Sequence, residues 1–101
     1  MKIYYTTTSD LSNAQSISKR FLSDKKAVCI NLINNVNSFY LDSGTVNVAN
    51  EIIMIIKTKL KKSEIERYIN KIHNYKIPLI VEIKSGLPNL VYADWFAKNA
   101  E

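Results

Sequence analysis

The sequence predicts an α+β subunit in which one antiparallel sheet carries its helices on a single face. Three observations predict it. Two segments with apolar residues at helical spacing, about 11–25 and 63–73, alternate with segments rich in β-branched residues. Asp42-Ser43-Gly44 sits between two strand-like arms, 27–41 and 45–58. The third is Glu51 to Thr58, where Ile52, Met54 and Ile56 point one way along a strand and Ile53 and Ile55 the other. An antiparallel sheet with one solvated face alternates apolar and polar residues. This strand does not alternate, so its second face needs a cover, and another copy of the same chain is the expected one.

The elements follow in order. Lys2 to Thr8, rich in Ile, Tyr and Thr, reads as a first strand. Ser9 and Asp10 offer an N-cap, and Leu11, Ala14, Ile17, Phe21 and Leu22 then line one helical face. Residues 27–41 and 45–58 form a hairpin, with Gly44 free to take positive φ. Fully extended, each arm reaches on the order of 45 Å, so the pair overhangs a domain this small. Asn34-Asn35 is the expected bulge, after which the strand can bend away. A long overhang with unpaired edges is a liability unless a neighbour pairs with it. Ser63-Glu64-Ile65-Glu66 fits a capping box, and Ile65, Tyr68, Ile69 and Ile72 carry a second helix to about His73. Pro78 biases Ile77 out of the helical region, and Leu79 to Ile83 reads as a fourth strand. Leu90 to Asn99, after Gly86-Leu87-Pro88, makes a short final helix with Tyr92, Trp95 and Phe96. The order βαββαβα, both main helices on one face, is the ferredoxin-like arrangement. Residues 1–101 are expected to form one such domain.

Composition bounds the function. The chain is 47% hydrophobic and 23% charged with two glycines and two prolines, which describes a compact globular protein. The single Cys29 excludes an internal disulfide and suits a reducing compartment. Lys2-Ile3-Tyr4-Tyr5-Thr6 lacks the apolar core of a signal peptide, and no apolar run approaches the ~20 residues that span a bilayer. A cytoplasmic protein without membrane attachment is expected. The net charge of +5 resides in residues 57–84, where eight Lys and Arg face three Glu. Such a basic third attracts anions in principle, but Lys dominates over Arg, the better phosphate reader, and a solvated lysine-rich face is the plainer reading.

Several of these residues fall in a known order. Ala27-Val28-Cys29-Ile30-Asn31 follows a helix, Ser38-Phe39-Tyr40 precedes Gly44, and Glu51 leads into Ile55-Ile56-Lys57-Thr58. His73-Asn74-Tyr75 then precedes Ile77-Pro78, and Tyr92 and Trp95 close the chain as a Tyr-x-x-Trp pattern. Together they resemble the CutA family of divalent-cation tolerance proteins over nearly the whole chain. The resemblance implies a ferredoxin-like subunit in a homotrimer packed through sheets and hairpins, as in the PII signalling proteins. It further implies a part in tolerance of copper or other divalent metals. Four positions depart from the family pattern. Pro78-Leu79-Ile80 stands where many relatives have Pro-Glu-Ile, and Asp42 replaces an aromatic. Thr6 and Ile72-His73 stand where some relatives suggested to bind copper have a Cys and paired histidines.

The residues narrow the chemistry. Copper and zinc want converging Cys and His ligands, and the chain has one of each, 44 positions apart. His73, Cys29 and Glu82 are the candidate metal ligands, with Glu51 a further carboxylate, and a trimer would multiply each by three. The competing readings are a buried hydrophobe for Cys29 and a helix-end cap for His73. No Gly-rich phosphate loop or nucleophile elbow is present, so no enzymatic reaction is assigned. An RNA-binding module of the same topology is the alternative class, but such modules stack bases on aromatics of the two central strands. The 52–56 strand has no aromatic, so nucleic acid is not the expected partner. A signalling trimer is the other alternative, with intersubunit clefts lined by Tyr40, Lys57, His73, Tyr75 and Trp95 accepting a small anion or metabolite.

Overall fold

The computed structural model describes residues 1–100, built as β1 (Lys2–Thr8), α1 (Leu11–Ser23), β2 (Cys29–Asp42), β3 (Thr45–Thr58), α2 (Lys62–Ile72), β4 (Val81–Ile83) and α3 (Leu90–Asn99). The four strands form one antiparallel sheet in the order β2-β3-β1-β4. With α1 and α2 as crossovers packed on one face, this is the ferredoxin-like topology that the element order predicts. Tyr4, Ile52, Met54 and Ile56 from the sheet meet Ala14, Ile17 and Phe21 of α1 and Ile65, Tyr68 and Ile69 of α2 in a single buried cluster. Phe21 and Tyr68 meet edge to face at its centre, 4.8 Å between ring centroids.

The caps explain where the helices begin and end. Asp10 Oδ1 accepts the Asn13 backbone N–H at 2.8 Å and starts α1. The helix ends at Ser23 rather than 25 because Lys25 turns left-handed (φ 56°), which lets the Lys26 N–H reach the Phe21 carbonyl at 2.8 Å. Helix α2 starts two residues earlier than the Ser63–Glu66 capping box predicts. Lys61 is its N-cap, the Lys61 backbone N–H points to Glu64 Oε1 at 3.5 Å, and Glu66 pairs with Lys62 at 3.7 Å. Ser63 is therefore an interior residue of the first turn, not the cap.

The hairpin is as long as its sequence predicts and gives the molecule a 47 Å axis against 26 and 24 Å across. Its radius of gyration, 14.5 Å, exceeds the ~13 Å of a compact chain of this length. Ser43 and Gly44, with φ of 52° and 78°, form the two-residue turn whose positive φ values match strand twist. The bulge also falls where predicted. Ile33 pairs with Ile53 but Val36 with Glu51, so Asn34 and Asn35 together oppose Ile52. Asn35 adopts φ 58°, and its N–H donates to Asn34 Oδ1 at 2.8 Å. The extra residue reverses the parity of β2. Ile30 and Leu32 face the helices, whereas Ser38 and Tyr40, also even-numbered, pair with Ala49 and Asn47 on the face without helices.

Strand β4 is shorter than the predicted 79–83, with only Val81, Glu82 and Ile83 in the ladder. Beyond Tyr5 the β1 edge is met instead by the loop after α2. Thr6 Oγ1 donates to the Leu79 carbonyl at 2.5 Å, and Thr8 Oγ1 to Asn74 Oδ1 at 2.8 Å. This substitution of side-chain bonds for a ladder shapes the region that follows.

Candidate ligand cleft

On the helix-free face, the register places Ile33 beside Ile53, Ile53 beside Thr7, and Ile55 beside Tyr5. Val81 and Ile83 extend the same face on β4. Ile33, Val81 and Ile83 are exposed, and Ile53 and Ile55 are partly so. Towards the hairpin this apolar strip opens into a cleft of about 610 Å³ lined by Thr7, Ser38, Tyr40, Ala49, Glu51, Tyr75, Ile77 and Leu79.

The loop after α2 builds one wall, and His73 fixes it. The His73 backbone N–H closes α2 on the Ile69 carbonyl at 2.8 Å. Its ring does not cap the helix. Nδ1 accepts the Tyr75 backbone N–H at 2.9 Å, which places the ring proton on Nε2, directed to the Thr7 carbonyl at 2.7 Å. The ring thus ties the loop to β1 and lies tilted against Tyr75, 4.9 Å between centroids. Tyr75 Oη in turn donates to Glu51 Oε2 at 2.7 Å. Burial opposes ionisation of Glu51, but hydrogen bonding from Ser38, Tyr75 and Thr7 outweighs it and holds the carboxyl below its ordinary range. Burial and the adjoining Glu51 carboxylate push the Tyr75 phenol well above its usual value. The pair therefore consists of an ionised carboxylate and a neutral phenol at physiological pH.

A family model for the CutA1 divalent ion tolerance protein matches residues 2–99. The chain belongs to the CutA1 family. It is 33% identical over 100 residues to the divalent-cation tolerance protein CutA of Archaeoglobus fulgidus, covering 96% of this chain and 95% of that one. The CutA of Thermococcus kodakarensis is 31% identical over 97 residues, covering 95% and 92%. Among solved structures, the periplasmic divalent cation tolerance protein CutA of Archaeoglobus fulgidus superposes with a TM-score of 0.90 at 31% identity, covering 99% of this chain and 98% of that one. CutA1 of Pyrococcus horikoshii also gives 0.90, at 28% identity, with 100% and 99% covered. The ferredoxin-like reading and the family resemblance thus hold.

Within this CutA1-family chain, the five residues expected to line a cleft divide into two groups. Tyr40 and Tyr75 line the cleft described, with His73 behind Tyr75. Lys57 lies six residues along β3 from Glu51, roughly 20 Å away, where its Nζ sits 5.6 Å over the Tyr92 ring of α3. Trp95 stacks at a tilt on the same Tyr92, 5.4 Å between centroids. The candidate metal ligands do not converge within the chain. Cys29 starts β2 opposite Lys57, whereas Glu82 lies on β4 at the far sheet edge, where it pairs with Lys2 Nζ at 3.5 Å. Both ring nitrogens of His73 are engaged, so a metal would have to displace one of these bonds. Among the described residues no three His, Cys, Asp or Glu side chains gather around a common point. The donor set of this chain's described residues therefore does not fit a copper or zinc centre.

Ser38 and Thr7 were not legible as site residues in the sequence. The signal that could have found them is the bulge, since counting the extra residue at 34–35 puts Ser38 and Glu51 on one face. No helix among the described residues is long and apolar enough to cross a membrane.

Proposed function

We propose that the chain acts as a homotrimeric, cytoplasmic divalent-cation tolerance protein of PII-like architecture that binds a small ligand or, weakly, a metal ion at clefts between subunits. The observation behind this reading is the apolar surface a lone subunit leaves open. Phe39 and Leu41 on β2 pair with Val48 and Val46 on β3 at the hairpin end, with Phe39 71% and Leu41 73% exposed. They continue the helix-side parity of Ile52 and Met54 past the reach of the core, while Ile33, Val81 and Ile83 remain open on the other face. Contiguous apolar patches of this kind mark association sites, and an uncovered 14-residue hairpin invites pairing. Closed rotational packing of identical subunits covers both features together. The lone Cys29, free in the subunit, suits the cytoplasm. On this reading the protein performs no chemical step, and copper affinity is low because no single subunit assembles a ligand set.

Light scattering at micromolar concentration tests the assembly. A mass about three times the 11.6 kDa subunit is expected, and 11.6 kDa itself would refute it. Calorimetric titration of Cu(II), Cu(I) and Zn(II) into wild type, Cys29→Ser and His73→Ala tests the metal. Indistinguishable weak isotherms are expected, and a tight site lost in either variant would contradict the proposal.

A further inference from the structure

On the helix side of the sheet, a groove of about 490 Å³ runs between the end of α1 and the flank of α2. Arg67 and Lys71 line it from α2, one turn apart, and Lys26 lines it from the loop between α1 and β2. Among the described residues the ion pairs are Lys2–Glu82 and Lys62–Glu66, so none of these three cations is paired. Like charges four apart on a helix repel, and a third charge lining the same groove adds to the repulsion. Arg20 flanks the site, close enough for its charge to act on the Tyr68 phenol. The two carboxylates of the groove already have protein donors. Asp24 Oδ2 accepts the Tyr68 hydroxyl at 2.5 Å, and Glu64 Oε1 faces the Lys61 backbone N–H at 3.5 Å. The last carbonyls of α1 are occupied too, since Arg20, Phe21 and Leu22 accept the N–H groups of Asp24, Lys26 and Lys25. Burial and the bond to Asp24 push the Tyr68 phenol up to about 12, so it adds no negative charge at physiological pH. Lys26 Nζ lies 5.9 Å over the Tyr68 ring, and the half-buried Leu60 completes an apolar floor. In the proposed trimer the covered surfaces are the helix-free face and the hairpin end. This groove lies on neither, because it opens on the helix side at the Leu60 end of β3.

We propose that this groove binds a small organic phosphate, its phosphoryl oxygens accepting from Arg67, Lys71 and Lys26 and its carbon body lying on Leu60 and Tyr68. A guanidinium offers phosphate a planar fork of donors and each ammonium a point charge, so one dianion answers all three cations. The volume is that of a small-molecule site. Asp24 and Glu64, beside the cations, repel a polyanion laid along the groove and so favour a compact phosphate over a nucleic-acid strand or a lipid surface. The site is separate from the cleft at Glu51 and does not depend on how subunits assemble. Binding is reversible and breaks no bond.

The test is an amide chemical-shift titration of the full chain with phenyl phosphate at low salt, against phenol and sodium chloride at matched ionic strength. Saturable shifts at residues 24–26, 60 and 64–71 are expected with phenyl phosphate alone, at a dissociation constant of about 1 mM. Inorganic phosphate should shift the same residues but bind more weakly, for want of the carbon body. Arg67→Gln should weaken binding about 10-fold, and Lys71→Gln and Lys26→Gln roughly 3-fold each. Arg67 and Lys71 are exposed, so their variants keep the fold. Lys84→Gln removes an exposed charge of the same basic third outside the groove and should leave the affinity unchanged. Equal shifts with phenol, tighter binding of inorganic phosphate, an equal loss in Lys84→Gln, or unchanged affinity in Arg67→Gln and Lys71→Gln would each overturn the proposal. So would retention on phosphatidylglycerol vesicles or on single-stranded oligothymidylate with no response to phenyl phosphate, which would make the groove part of a general polyanion surface.

Discussion

Replacing Ile53 with lysine tests whether the helix-free face is a covered surface. Ile53 is central on that face, flanked by Ile33 on β2 and Thr7 on β1, and partly buried in the subunit alone. In a solitary subunit a lysine there would lay its hydrocarbon stem on the sheet and keep its ammonium in water, at a cost of about 1 kcal/mol or less. In the proposed trimer each copy would lose about 1.5–3 kcal/mol of apolar burial and would also bury an unpaired ammonium. Three copies bring the penalty to the order of 10 kcal/mol per trimer, enough to abolish assembly at micromolar concentration. The assay is light scattering with a thermal melt, using Ile53→Val as the conservative control. We expect Ile53→Lys to run as a folded single subunit by far-ultraviolet circular dichroism, with a lowered midpoint, and Ile53→Val to keep the wild-type mass. Retention of wild-type mass and midpoint by Ile53→Lys would refute the covered face.

Three further outcomes are expected. Phe21→Ala removes a fully buried ring that meets Tyr68 edge to face, and should cost about 3–5 kcal/mol with a clear drop in the urea midpoint. Asn35→Val forces a β-branched residue into φ 58° and should destabilise by about 1–3 kcal/mol, whereas Asn35→Gly should be nearly neutral. Glu51 has a depressed folded pKa, so its stabilising contribution is full above its ordinary value of 4.5 and is lost as pH falls through the folded one. The stability gap between wild type and Glu51→Gln should therefore narrow below pH 4.5 in acid denaturation, and a gap independent of pH would contradict the assignment. Tyr75, raised above 10.0, acts at the other end: the stability difference between wild type and Tyr75→Phe should change only as pH rises past 10.

The sequence by itself determined the order of elements, because periodicity is local. Leu11, Ala14, Ile17 and Phe21 can share one side only on a helix, and Ser43-Gly44 can close only a tight turn. It also determined that β3 is apolar on both faces, since parity along one strand is a property of that strand. The cleft was legible in part: Tyr40, His73 and Tyr75 were expected near a ligand, but so were Lys57 and Trp95, which lie toward the other end of β3 with α3. Residue type marks chemistry, not distance along a 14-residue strand.

Tertiary structure alone decided three things. The bulge at Asn34-Asn35 sent Ser38 and Tyr40 to the face of Glu51, a switch that depends on which β3 residue each one meets. The short β4 left the edge of β1 to Thr6, Thr8 and His73, and so committed the ring of His73 to holding the loop after α2. Finally, pairing fixed Cys29 and Glu82 on opposite sheet edges. Each is a relation between residues far apart in the chain, set by hydrogen-bond register, and register exists only once the strands have met.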